Sequence, residues 1–96
     1  MMDPRRKEAW AKLMVDLAVL QAEGMRFGRI TVKRVVGIRG SVWEIVRQFE
    51  GMAYRIYFCL KKGEAWLIHW LEKKSRKIPA NDLNVMGKRA KEVFGR

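Results

Sequence analysis

From residue 4 to residue 23 the apolar side chains Trp10, Leu13, Met14, Leu17 and Leu20 recur near the i, i+3, i+4, i+7 spacing that lines one stripe of an α-helix. Asp3 suits the N-cap, Pro4 the first helical position and Gly24 the C-terminal stop. The remaining face carries Arg5, Lys12 and Asp16 and reads as a solvated surface. Glycines then punctuate residues 24–40 around Ile30, Val32, Val35 and Val36, which make either a short strand or an irregular lead-in. Three segments follow, 41–49, 53–60 and 64–71, rich in the Val, Ile, Trp, Tyr and Phe that fit a pleated surface. Glu50-Gly51 and Lys61-Lys62-Gly63 supply the turns between them.

Connections this short force antiparallel neighbours, so the pattern predicts an α+β fold. Its N-terminal helix packs on a three- to four-stranded antiparallel sheet, and a short C-terminal helix closes the chain. That last helix is expected to start with Asn81 or Asp82 as N-cap and to bury Leu83, Met86, Ala90, Val93 and Phe94. Period-two alternation places Trp43, Ile45 and Phe49, and on the next strand Tyr54, Ile56, Phe58 and Leu60, on the core face. The opposite face receives Glu44, Val46, Gln48, Arg55, Tyr57 and Cys59, a mixed set in which chemistry is to be sought.

A chain of 96 residues is long enough for one domain, residues 1–96, with one modest core and one site. Twenty-one Lys and Arg against 10 Asp and Glu give a net charge of +11, spread over the whole length, which points to a polyanion partner. Cys59 is the only cysteine, so an intramolecular disulfide and the Cys-rich zinc patterns are excluded. The apolar stretch near residues 65–71 is far too short to span a bilayer, and no signal-like core follows the charged start, so a cytoplasmic location without membrane contact is expected.

Three pieces carry a family pattern: Val42-Trp43-Glu44, Tyr54-Arg55-Ile56-Tyr57-Phe58, and Ile68-His69-Trp70-Leu71-Glu72-Lys73-Lys74-Ser75-Arg76-Lys77-Ile78-Pro79. In this order and spacing they resemble the RelE/HigB toxins of type II toxin-antitoxin systems, above all the phage-derived HigB-like branch. The chain departs from that pattern in three places. Val46 stands where relatives usually carry Arg, and Arg47, one position later, falls on the other face unless a bulge brings it round. Leu71 and Ser75 replace the usual Phe and Thr. The chain opens on a helix where relatives begin with a strand, so the sheet is expected to be one strand short.

The resemblance implies an endoribonuclease that sets a ribose 2′-hydroxyl against the neighbouring phosphate, on messenger RNA in the ribosome. The nucleophile then belongs to the substrate, and the protein supplies proton transfer and charge stabilisation, with no metal and no cofactor. With His69 as the sole histidine, a two-imidazole mechanism is excluded within one chain, and Glu44, Glu50, Glu64, Glu72 and Asp82 show no dense cluster for two metals. A cationic site remains. Arg55 is the candidate for stabilising phosphate charge and Lys73 or Lys74 for shuttling the proton. Tyr57 either stacks a base, holds the scissile phosphate or packs, and His69 is either a catalytic group or a hydrogen-bonded structural residue. Arg47, Arg76, Lys77 and Lys88 are the candidate RNA contacts. The four cations within residues 73–77 repel one another, which favours phosphate binding over a plain solvated loop.

The same resemblance implies a cognate antitoxin, of helix-turn-helix type, as protein partner, with operator DNA reached only through the antitoxin complex. One of the four tryptophans, Trp10, Trp43, Trp66 and Trp70, is expected on the surface that takes an antitoxin helix. Three other readings compete: a ParE-like toxin acting on DNA gyrase, a non-catalytic nucleic-acid or ribosome-binding module, and a degenerate toxin marked by Val46 and kept for antitoxin binding.

Overall fold

The computed structural model describes residues 4–23, 32–38, 41–49, 51–73 and 77–95. They form α1 (Pro4–Glu23), β1 (Val32–Arg34), β2 (Val42–Phe49), β3 (Met52–Lys61), β4 (Glu64–Lys73) and α2 (Ala80–Phe94). The fold is α+β, with the strands in the order β1-β2-β3-β4 and every neighbouring pair antiparallel. The glycine-punctuated lead-in contributes β1 as a three-residue edge strand, which brings the sheet to four strands. Between β3 and β4, Lys62 and Gly63 take φ of 51° and 78°, the two positive values of a hairpin turn whose twist matches its strands.

One face of the sheet is covered by α1. Ala9, Leu13, Leu17 and Leu20 pack on Ile45, Tyr54, Ile56 and Phe58, so the alternation of β2 and β3 places the apolar side chains as expected. Asp16 is a correction. It sits three residues after Leu13 and one before Leu17, within the inward stripe, and is only 5% exposed. Met14, one step round from Leu13, is turned outward instead. Polar bonds fix the helix along the sheet: Trp10 Nε1 donates to Glu72 Oε1 at 3.2 Å near one end, and the Ala65 amide donates to Gln21 Oε1 at 2.8 Å near the other. Trp10 also meets Tyr54 edge-on, with centroids 5.4 Å apart.

The second face holds a second core, where the sequence pattern suggested a single one. Met86, Ala90 and Val93 of α2 pack on Val42, Tyr57, Cys59 and Ile68. Every residue from Ala53 to Cys59 is therefore buried, as in a strand covered on both sides. Each large side chain so enclosed contributes roughly 1.5–3 kcal/mol.

The start of α2 also departs from expectation. Pro79 occupies the N-cap at φ −61° and ψ 149°, with no side-chain cap, and the helix begins at Ala80. The proline ring presets the extended entry, so neither Asn81 nor Asp82 acts as cap; Asp82 lies in the first turn and bonds to the sheet. At the other end Lys61 Nζ donates to the Val93 carbonyl at 2.8 Å, and Phe94 falls outside the buried stripe. Among the described residues no helix is long and apolar enough to cross a membrane.

Candidate functional site

Lys33, Glu44, Tyr57 and His69 are successive register partners across β1, β2, β3 and β4. They form one row of polar side chains on the face that α2 covers. Uninterrupted alternation along β4 would send His69 to the α1 face. The ladder instead pairs Tyr57 with His69 and Phe58 with Leu67, so Ile68 is an extra residue and the strand bulges. Ile68 and His69 consequently both face α2, while Leu67 and Trp70 pair with the α1-facing Phe58 and Ile56.

Arg55 stands one row along. Its Nη1 lies 3.3 Å from both carboxylate oxygens of Glu44, and each side chain is 9% exposed. Two charges removed from water in this way hold each other in place. Tyr57 is fully buried, with its hydroxyl beside the Glu44 carboxylate. Burial, followed by the nearby Glu44 carboxylate, pushes the phenol far above its ordinary pKa, against a smaller opposing pull from Arg55. Tyr57 therefore keeps its proton. Burial likewise raises the Cys59 thiol, which leaves it unreactive.

His69 ties the row to α2. Its Nε2 is 2.8 Å from Asp82 Oδ1 and its Nδ1 is 3.0 Å from Arg89 Nη1, which also donates to the Ile68 carbonyl at 2.6 Å. A guanidinium only donates, so Nδ1 is the acceptor, and Nε2 carries the hydrogen that Asp82 receives. Both ring nitrogens are committed to α2.

Beyond Glu44 the row opens into a cleft of about 380 Å³ between β1 and the segment that leads into α2. Lys33, Arg34 and Lys77 line it, Glu44 is its one carboxylate among the described residues, and Val36, Ile78 and Leu83 give it apolar walls. A second cleft, also about 380 Å³, adjoins at Leu83 and carries Lys88 and Lys91. On the α1 face an open apolar groove of about 280 Å³ is lined by Trp10, Met14, Ile56, Leu67 and Trp70.

The structure thus brings Arg55, Tyr57 and His69 of the sequence candidates onto one face, with Lys77 and Lys88 at the adjoining clefts. Arg47 lies on the α1 face, where its Nε and Nη2 reach the two oxygens of Asp16 at 2.7 and 2.8 Å. The β2–β3 register runs unbroken from Val42–Cys59 to Phe49–Met52, so no bulge brings Arg47 round, and Val46 stands opposite Arg55. The hydrogen bond to Asp16 holds the guanidinium charged even beyond its usual range. Lys73 closes β4 opposite Ala53; its side chain, and Lys74 and Arg76 entirely, lie outside the described residues. Sequence reasoning missed Lys33 and Arg89 as members of the site, gave Asp82 only as a helix cap or a metal carboxylate, and assigned Glu44 no catalytic role. The mixed face already contained Glu44, but nothing local marked the others. Among the described residues no three His, Cys, Asp or Glu side chains gather to hold a metal ion.

The chain is thus a strongly basic α+β protein with a buried carboxylate–guanidinium pair behind a lysine-lined cleft. The model of the phage-derived Gp49-like proteins (DUF891) matches residues 3–91, and the chain belongs to that family, which is associated with the toxins of toxin-antitoxin systems. No curated protein and no solved structure matches it.

Proposed function

We propose that the chain is the toxin of a type II toxin-antitoxin pair, a RelE/HigB-type endoribonuclease that cuts messenger RNA on the ribosome and so stops translation. The observation that carries this reading is the Glu44 carboxylate, fixed by Arg55 and lining the cleft with Lys33, Arg34 and Lys77. A proton acceptor set among phosphate-binding cations is what cleavage by a ribose hydroxyl requires. In this reading Glu44 accepts the 2′-hydroxyl proton as the 2′-oxygen bonds to the adjacent phosphorus. The bond from phosphorus to the 5′-oxygen breaks, and that oxygen takes a proton from a lysine of the 73–77 run. The products are a 2′,3′-cyclic phosphate and a 5′-hydroxyl. Arg55 orients Glu44, and Tyr57 and His69 hold the row in place. No step passes through a metal or cofactor.

A second reading, a non-catalytic RNA- or ribosome-binding module, is favoured by the full burial of Tyr57 and by the engagement of both His69 nitrogens. The protein partner in either case is a cognate antitoxin of helix-turn-helix type, which brings the complex to operator DNA. Its net negative, apolar-faced helix seats in the groove of Met14, Leu67 and Trp70, all exposed on a protein of charge +11.

The deciding experiment adds purified protein to a translating extract and maps message 5′ ends, with free RNA in EDTA run alongside. Cuts within translated codons that vanish in Glu44→Gln and fall in Lys74→Ala support the nuclease, provided both variants keep the circular dichroism spectrum of the parent. Message that stays intact at high protein concentration overturns it. A gyrase supercoiling assay on the same preparation then separates the ParE-like activity from plain binding.

A further inference from the structure

Two clefts of about 380 Å³ each meet at Leu83 and share the turn that holds Val36, Gly37 and Ile38. Each is close to the volume of small-molecule sites that enclose one compact ligand. The first is lined by Lys33, Arg34 and Lys77, the second by Lys88 and Lys91, and all five are exposed. Between the cations the walls are apolar: Val36, 89% exposed, stands on one side and Leu83 on the other. A large, fully exposed aliphatic side chain at the mouth of a cationic cleft is poorly placed for solvation and well placed against the face of a flat, uncharged ring.

We propose that these clefts form a track for two successive nucleotides of a single RNA strand, with β1 as its outer wall. Lys33 and Arg34 take the phosphate of the nucleotide over Glu44, Lys88 and Lys91 take the next, and the Val36–Leu83 gap seats a base between them. The carboxylate in the lining, Glu44, faces the first nucleotide and accepts a hydrogen bond from its ribose hydroxyl, which a deoxyribose lacks. The track therefore prefers RNA to DNA and single strands to duplex, because a paired base cannot enter the gap. This inference rests on the RNA reading above and adds the binding determinants on β1 and α2. Neither Lys33, Arg34 nor Lys91 follows from the basic run at residues 73–77.

The test uses the full chain and a fluorescein-labelled single-stranded RNA with 2′-O-methyl groups throughout, which cannot be cut, read by anisotropy over a range of salt. Lys33→Ala with Arg34→Ala is expected to weaken binding about tenfold and to lower the salt slope by roughly one, the share of about one phosphate. Val36→Ser, exposed, uncharged and safe for the fold, is expected to weaken this RNA but not an abasic one of equal charge. Lys12→Ala, on the α1 side and paired with Glu8, serves as control. On a Glu44→Gln background, which blocks cleavage and keeps an acceptor oxygen, a natural-ribose oligonucleotide is expected to bind more tightly than its deoxyribose counterpart, and equal binding would overturn the hydroxyl preference. Variants that bind like the parent, or lose no more than Lys12→Ala, overturn the track, and if the parent still cuts message the nuclease reading survives that loss. Weakened binding in the variants beside a parent that cuts no RNA upholds the track and removes the nuclease.

Discussion

His69 stands over the sheet beside Tyr57, ring centroids 6.2 Å apart, because β4 inserts Ile68 as an extra residue between the His69 and Leu67 pairings. The bulge sets the histidine where α2 can grip it through Asp82 and Arg89. His69→Ala removes both bonds and leaves two charged partners without their ring. We expect a loss of about 1–3 kcal/mol in urea unfolding. Asp82→Asn, which keeps an acceptor oxygen, should lose less than half of that. Equal losses would mean that the charge, and not the bond, holds α2 down.

The buried phenol and thiol make stability sensitive to alkali. Tyr57 and Cys59 both titrate above their ordinary values of 10.0 and 9.0 in the folded chain. Above those values the unfolded chain loses protons that the folded chain still binds, so stability falls as pH rises. Below pH 9 neither group contributes. Denaturant midpoints are expected to hold through neutral pH, to decline above about 9 and to decline more steeply above about 10, each group adding up to about 1.4 kcal/mol per pH unit. Tyr57→Phe, which removes the hydroxyl beside Glu44, should abolish the steeper part and cost about 1 kcal/mol at pH 7. Retention of the steeper part in that variant would assign it to other groups.

The elements were legible in the sequence because their signals are local. Pro4 and the Trp10–Leu20 spacing define α1, and the Lys62-Gly63 turn sets the β3–β4 hairpin. The α1 face of the sheet followed from alternation alone. The site was legible only where alternation holds, at Glu44, Arg55 and Tyr57. His69 reached the row through a bulge that no residue type announces. Asp16 and Arg47 meet across 31 positions of sequence, and His69 and Asp82 across 13, so their pairing is a product of how the helices dock. Asp82 resembled a cap because Asp is a good one; Pro79 took that position and released the carboxylate.

The Asp16–Arg47 pair is a structural tie in this chain. Asp16 is buried and Arg47 is half exposed, with its guanidinium bidentate on the carboxylate. Asp16→Ala is expected to cost about 1–3 kcal/mol and Arg47→Ala about as much. The double variant should cost well under the sum, with a coupling near 1 kcal/mol once solvent screening of the exposed arginine is allowed for. Additive losses would show the two groups to be independent. Arg47→Ala is also expected to leave RNA binding within about twofold, since the side chain lies on the α1 face; a tenfold loss would return Arg47 to the RNA contacts.

Trp70 is 59% exposed, beside the exposed Leu67 and Met14. It lies on the α1 face, away from the clefts that α2 borders, so its role is separable from theirs. Trp70→Lys adds a charge where water already reaches and is expected to change stability by no more than about 0.5 kcal/mol. RNA binding at the clefts should be untouched. Inhibition by a co-expressed antitoxin should weaken at least tenfold, because the substitution places an ammonium in the apolar seat of its helix. In the parent the same complex should shift tryptophan emission to the blue and protect the fluorescence from acrylamide, since Trp70 is the most exposed of the described tryptophans. Full neutralisation of Trp70→Lys by the antitoxin, with the emission shift intact, would place the partner on another surface and leave this groove without a role in inhibition.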